Sequence, residues 1–369
     1  MTEVAVVGAG VVGLACAASL SARGFGVTVI EREARVAQGI SARNSGVIHA
    51  GLYYPVGSLK AQTCVLGRER LYARAAAYAV PHRRTGKLVV AASPAEAAAL
   101  TALYDRGRDN GAGALTLIDG VELERLEPRV RGDRALWSPE TGIVDAYALA
   151  KSYEAEAVRH GAVVVLNTRV EALEPAHGGW RLRTVAKGGD RFALEVDVVV
   201  NSAGLGAVAL FDSVGRPATP RRTLHLCKGD YFALAPALGR LTTHLVYPLP
   251  DAHGLGVHVT FDLGGRDRLG PDTAYVDRER YDVEPEKAAG FLAAARYLPE
   301  LRLEHLSPDF AGLRPKLQGP DDGFVDFVIE EGTAAGVPGL VSLLGIESPG
   351  LTAAGEIGER VAALVRAVA

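Results

Sequence analysis

The chain opens on an uninterrupted apolar run at residues 4–7, short enough for a strand and apolar enough to be buried on both faces. The turn GAGVVG follows, supplying Gly8, Gly10 and Gly13. An alanine-rich stretch from about residue 11 to 23 predicts a buried helix that Gly24 closes. A second apolar strand covers residues 27–30 and ends at Glu31. Farther along, residues 88–93 predict a strand. A helix to about residue 110 follows, with Ser93 as N-cap, Pro94 in its first turn and Glu96 completing a capping box. Residues 145–160 predict a helix ended by Gly161, and residues 163–166 the next strand. DVVVNSAG, residues 197–204, predicts a buried strand and a glycine turn. Residues 221–305 alternate polar with apolar and carry hairpin signals at 251–254 and at Gly264-Gly265, which predicts an antiparallel sheet. The final helix is expected to start near Thr352, just after Pro349 and Gly350.

The opening βαβ unit has chemical content. Gly8 permits a tight turn after the strand. Gly10 lets backbone approach a pyrophosphate. Gly13 lets the helix pack closely. The first helical residues, Val11 and Val12, offer unpaired N–H groups and a partial positive charge to phosphates. Glu31 lies 21 residues after Gly10, where an acid accepts hydrogen bonds from a ribose diol, and Arg32 follows it. The unit predicts a dinucleotide site without deciding between NAD and FAD.

Composition narrows the class. A chain of 369 residues points to two domains, and 48% hydrophobic against 22% charged residues to a soluble globular protein. Forty basic and 43 acidic residues give a net charge of -3, so no basic surplus points to nucleic acid. Cys16, Cys64 and Cys227 are odd in number and far apart, which argues against a disulfide framework and for a reduced, cytoplasmic location, inner-membrane periphery included. No cysteine pair or histidine cluster has metal-ligand spacing, so no metal is expected. The N-terminus lacks the basic start of a secretion signal, with Glu3 where positive charge belongs. No apolar stretch reaches the roughly 20 residues of a transmembrane segment.

SARNSGVIHAGLYY at residues 41–54 interrupts the pattern of a plain NAD domain with small and polar residues suited to a flat ring and a diphosphate. This segment, with Gly57-Ser58-Leu59-Lys60-Ala61 and Cys64, resembles the L-2-hydroxyglutarate dehydrogenase group of the D-amino-acid-oxidase-like (glycine-oxidase-like) FAD family. KGDYFAL (228–234), VYPLPD (246–251), LGVHVTFD (255–262), LGPDT (269–273), AGLRPKL (311–317) and GIESPGLT (345–352) extend the likeness nearly end to end. Arg43 departs from it, standing where those enzymes carry His. AGLRP and GIESPGLT look closer to the wider amine and hydroxy-acid oxidases.

The resemblance implies FAD and an α/β fold. A Rossmann-type, glutathione-reductase-like domain (1–85, 143–220 and 310–369) would interleave with an α+β substrate cap on an antiparallel sheet (86–142 and 221–309). Ser41, Arg43, Asn44, Ser45, Gly46, His49, Ala50 and Gly51 would line the cofactor. Val170, Ala203 and Gly204 would join them, with Gly312 and Arg314. Gly345, Glu347, Ser348, Gly350, Leu351 and Thr352 would close on the ring, with the last helix dipole facing negative charge at N1.

Oxidation of an alcohol needs a base for the hydroxyl proton as hydride leaves for flavin N5. His49 suits this, with a covalent tether to the flavin as its other family role. Arg314 matches a substrate carboxylate as a bidentate fork. Lys228, Tyr247 and His258 are candidates for a distal acid group or for orientation, and Lys60 and Lys316 for cationic neighbours. The expected reaction is oxidation of a small 2-hydroxy acid resembling L-2-hydroxyglutarate. Oxidation of an amine, as by glycine or sarcosine oxidases, and a flavoprotein serving as a binding or electron-transfer module are the alternatives. The electron acceptor is open among oxygen, a quinone and a protein.

Overall fold

The computed structural model describes residues 1–215, 222–250 and 256–369. Among these residues the strands form one six-stranded and one nine-stranded sheet, joined by two smaller three-stranded ones. The six-stranded sheet is built on the opening pattern. Glu3–Val7 lies at its centre, parallel to Gly26–Ile30 on one side and to Val198–Asn201 on the other. Val163–Val165 and Leu340–Leu344 extend it in parallel, and Val328–Glu331 adds one antiparallel edge strand. Its central strands are apolar without alternation because both faces are covered. On one face Val11–Ser21 packs between Ala146–Arg159 and the last helix, Gly350–Val368. A Cβ on Gly358 would sit 2.6 Å from the Ala15 carbonyl oxygen, so the first and last helices approach backbone to backbone. On the other face the three-stranded sheet Thr168–Ala176, Gly179–Ala186 and Arg191–Val196 buries Leu173, Trp180 and Leu182 against Ala5, Val7 and Val199.

The nine-stranded sheet is mainly antiparallel, as the alternation of residues 221–305 predicts. His225–Leu234 pairs along its length with Leu306–Lys316, with a bulge between Asp230 and Phe232. The boundary placed at residue 310 thus falls inside a strand. One contact is parallel: Leu245–Pro248 runs beside Lys87–Ala91. The Gly264-Gly265 signal forms the turn between Val259–Phe261 and Asp267–Leu269. The hairpin signal at 251–254 and the boundary at 220/221 lie outside the described residues.

Two local expectations change. Ser93 makes no side-chain cap; Pro94–Glu96 is a 3₁₀ turn ahead of the helix Ala97–Asp109. The Glu96 carboxylate reaches past the cap to accept the Ala92 N–H at 2.6 Å and pairs with Arg296. The last helix begins at Gly350, two residues before Thr352, because Pro349 ends the preceding turn.

Candidate active site

A cavity of about 960 Å³ lies between the two large sheets. Its walls come from the opening glycine turn, the 38–54 loop, the turn after Val198–Asn201, the facing strands of the nine-stranded sheet, and the start of the last helix.

At one end the three glycines meet three different constraints. Gly8 has φ +101°, a backbone conformation that side chains disfavour. A Cβ on Gly13 would lie 2.0 Å from the Gly8 carbonyl oxygen, which leaves only glycine at that crossing. At Gly10 a Cβ would meet only Ser41 Oγ, at 3.3 Å, so its bare backbone opens onto the cavity instead. Gly10 has no side chain to cap the helix that follows; instead Ser41 Oγ accepts the Val11 N–H at 3.0 Å. Val12 and Gly13 also line the cavity, so the positive end of the helix faces it. Glu31 Oε2 accepts the Ala9 N–H at 2.7 Å and Oε1 the Glu33 N–H at 2.9 Å. Each oxygen keeps a second lone pair at the cavity wall, the arrangement a ribose diol needs. Arg32, Val170, Ala203 and Gly204 complete this end.

The middle is the 38–54 loop. Asn44 organises it, donating to the Ile40 and Ser41 carbonyls and accepting the Gly46 N–H at 2.9 Å. The Arg43 guanidinium stacks on the Tyr281 ring at 4.2 Å, so it bridges the loop to the opposite half of the chain. Ser45 and Gly312 line the cavity beside them.

At the far end His49 is 9% exposed. Its backbone N–H donates to Thr352 Oγ1 at 3.0 Å, and its ring Nε2 lies 3.3 Å from Ser348 Oγ. Its Nδ1 has no hydrogen-bond partner. Burial, then the charges of Lys87 and His258, push its pKa well below the ordinary 6.5. Gly350 and Leu351 present the uncapped start of the last helix to the same space. Arg314 comes from Leu306–Lys316. Its Nη2 donates to the Lys228 carbonyl at 3.0 Å and the Asp272 carbonyl at 2.6 Å, its Nε to the Cys227 carbonyl at 3.4 Å. Carbonyl partners orient the fork without cancelling its charge, and Nη1 is left to a ligand. Gly229 makes room for this: a Cβ there would lie 2.9 Å from Nη2.

His258 and Tyr247 reach the cavity as a stacked pair, ring centroids 3.7 Å apart. His258 is 3% exposed, so it is no solvent-facing strand residue; burial lowers its pKa to about 3. Lys60 and Lys316 share Glu347 at the rim, at 2.9 and 3.7 Å.

Six expected residues are placed differently. Lys228 turns away from the cavity. Its Nζ pairs with Asp230 at 2.7 Å and donates to the Asp282 carbonyl, in a buried network that Lys287 and Asp272 complete. Thr352 is fully buried behind His49, as its supporting acceptor. Gly46, Ala50, Gly51 and Gly345 stand behind the wall; Gly46 and Gly345, at φ +65° and +69°, shape turns. Tyr53, Tyr54, Tyr231 and Tyr281 also line the cavity, although nothing in the sequence singles them out beyond GLYY lying in the motif itself, and Lys87 packs against the Tyr53 and Tyr247 rings.

The geometry fits a dinucleotide cofactor with anionic character at two points: two helix starts face one chamber, and the Glu31 carboxylate stands beside the first. The comparisons agree. The model of the FAD dependent oxidoreductase family matches residues 3–364. The mitochondrial L-2-hydroxyglutarate dehydrogenase of Arabidopsis thaliana is 38% identical, the match covering 98% of this chain and 82% of that protein. That of Caenorhabditis elegans is 32% identical over 95% and 90%. Among solved structures, the FAD-bound L-alpha-glycerophosphate oxidase of Mycoplasma pneumoniae superposes with TM-score 0.86 at 26% identity, covering 99% and 94%. Glycine oxidase of Geobacillus kaustophilus shares the fold, with TM-score 0.81 at 23% identity over 100% and 96%. From the glycine turn at its start to the last helix closing on the same cavity, this chain belongs to the FAD dependent oxidoreductase family.

Proposed function

We propose that the protein oxidises a 2-hydroxy acid, with L-2-hydroxyglutarate as the leading substrate, His49 as general base and Arg314 as carboxylate clamp. One juxtaposition carries this: an imidazole whose pKa burial lowers and an arginine with no carboxylate partner among the described residues line the same chamber as the glycine turn. The names of the A. thaliana and C. elegans relatives add the substrate. When bound, FAD supplies the hydride acceptor.

The residues divide the remaining work. The two remaining N–H groups of Arg314, both on Nη1, donate charge-assisted hydrogen bonds to the substrate's C1 carboxylate and so fix the carbon beside it. His49 accepts the C2 hydroxyl proton. Its depressed pKa keeps it unprotonated across neutral pH, ready to accept. Ser348 Oγ contacts the imidazole and Thr352 anchors the backbone that carries it, while the buried Tyr54 and Tyr247 screen that end from water.

Anaerobic addition of L-2-hydroxyglutarate to the yellow holoprotein should bleach its visible absorbance, with D-2-hydroxyglutarate, glycine and sarcosine as comparison. Bleaching by the amines and by no hydroxy acid would replace this function with amine oxidation. Admitting oxygen, a quinone or a protein acceptor afterwards identifies what reoxidises it.

A further inference from the structure

Three lysines are buried among the described residues: Lys60, Lys87 and Lys228. Two have carboxylate partners, Glu347 for Lys60 and Asp230 for Lys228. Lys87 has none. It is 0% exposed and its Nζ makes no hydrogen bond. The amine lies 4.5 Å from the centre of the Tyr53 ring and 4.6 Å from that of Tyr247. Tyr247 in turn stacks on His258 at 3.7 Å. Tyr53, Tyr247 and His258 all line the cavity, so the amine stands directly behind its wall. The hydroxyls of Tyr53 and Tyr247 are also buried without a partner.

A buried amine with no counter-charge is costly, and a chain that carries one has a use for it. With Arg314, whose three bonds are all to carbonyls, it makes two cations at one cavity whose charge no carboxylate among the described residues cancels by a direct bond. The opening glycine turn lies at the other end and serves a different anion. Two such cations match a ligand with two separated negative charges.

Resting on the hydroxy-acid function above, we infer that Lys87 is a specificity-determining residue that reads the substrate's second carboxylate, acting through the Tyr53 and Tyr247 rings, while Arg314 holds the first. The natural substrate class is then a 2-hydroxy dicarboxylic acid. A ring face between cation and anion rules out a direct hydrogen bond and leaves a coulombic attraction that falls with distance. Burial brings the amine's pKa from 10.5 to about 7, with Cys64 opposing the shift. The groups facing it are Cys64 from Leu59–Ala77, His49 and Tyr53 from the 38–54 loop, Tyr247 from Leu245–Pro248, and His258. Of these only Cys64 raises it, and the Cys64 thiol is itself pushed up to about 12. An arriving dianion therefore favours protonation of Lys87, and binding takes up a proton near neutral pH.

The test uses unreactive ligands of equal length on the FAD-loaded enzyme: glutarate, a diacid, and pentanoate, its monoacid counterpart. Each is titrated while the flavin's visible spectrum reports binding, in wild type, Lys87→Met and Lys87→Arg. Wild type should bind glutarate at least tenfold more tightly than pentanoate. Lys87→Met should lose most of that preference by weakening glutarate alone, and Lys87→Arg should keep much of it. Lys87→Met with the wild-type preference, or with both acids weakened equally, would overturn the assignment. Should Lys87→Met fail to hold FAD, the wild type decides between pH 6 and 9: a preference that falls as the amine deprotonates supports the role, and a constant one refutes it. Failure of the hydroxy-acid function reads differently, as no bleaching by L-2-hydroxyglutarate with the glutarate preference intact.

Discussion

His49 works because of what surrounds it. A free imidazole would be partly protonated at pH 6.5; this one is held well below that value by burial first and by Lys87 and His258 next. The active form of a base is its neutral form, present above its pKa. The acid limb of kcat/KM should therefore lie well below the ordinary 6.5, as anaerobic stopped-flow reduction across pH 4–8 would measure. His49→Asn should lower flavin reduction by about 10²–10⁴-fold with FAD content unchanged. Retained turnover in that variant would point to amine chemistry. Lys87 should show in stability as well. Its folded pKa of about 7 lies under the ordinary 10.5, so below pH 7 the native state carries the whole cost of a buried charge. Between about 7 and 10.5 the unfolded chain binds more protons, and wild-type stability rises with pH through this group. Lys87→Met removes the cost. It should raise the thermal midpoint by about 2 °C or more at pH 6, and the gain should shrink toward pH 10.

At the scale of elements, support for the base comes from a helix about 300 residues away in sequence: Thr352 in Gly350–Val368 accepts the His49 N–H, |i−j| being 303. Thr352→Val keeps the shape and removes the acceptor inside the protein. An unpaired buried N–H costs about 1–3 kcal/mol. The variant should lose kcat more than KM, since the backbone that carries the imidazole loses its tie to the last helix while the Arg314 contacts are untouched. Steady-state kinetics with L-2-hydroxyglutarate would separate the two. Such relations also explain what could be read from the sequence. The strand, glycine turn, helix and Glu31 are consecutive, so spacing alone carries their geometry, and Gly8, Gly10 and Gly13 meet the constraints expected of them. The carboxylate-clamp candidate Arg314 was legible through its motif, but the carbonyls of Cys227, Lys228 and Asp272 that orient it were not, because sheet pairing brings them together. Lys228 shows the opposite failure. Its neighbours Gly229 and Tyr231 line the cavity, and a strand alternates its side chains, so Lys228 faces the ion network behind. Lys87 gave no signal at all: it begins an apolar strand, and its meaning comes only from two rings, one on a loop and one on another strand.

At the scale of the whole molecule the cavity is a seam. Residues of the six-stranded sheet's turns line one side and residues of the nine-stranded sheet the other, so FAD would touch both. A ligand that binds only the native arrangement stabilises it by RT ln(1 + [L]/Kd), about 2.7 kcal/mol at a hundredfold excess over Kd. Because the binding free energy depends on both walls, it should be shared between them. The chain carries two tryptophans, one reporting on each side. Trp137 lies in Arg134–Ser138 of the nine-stranded sheet, and Trp180 in the three-stranded sheet packed under the six-stranded one. Trp137→Phe and Trp180→Phe variants leave one reporter each. With saturating FAD their fluorescence midpoints in urea should coincide and should rise together as FAD is increased. If only the Trp180 signal moved with FAD, the nine-stranded sheet would contribute nothing to holding the cofactor, and the share of Arg314 and His258 in the cofactor site would lose its basis.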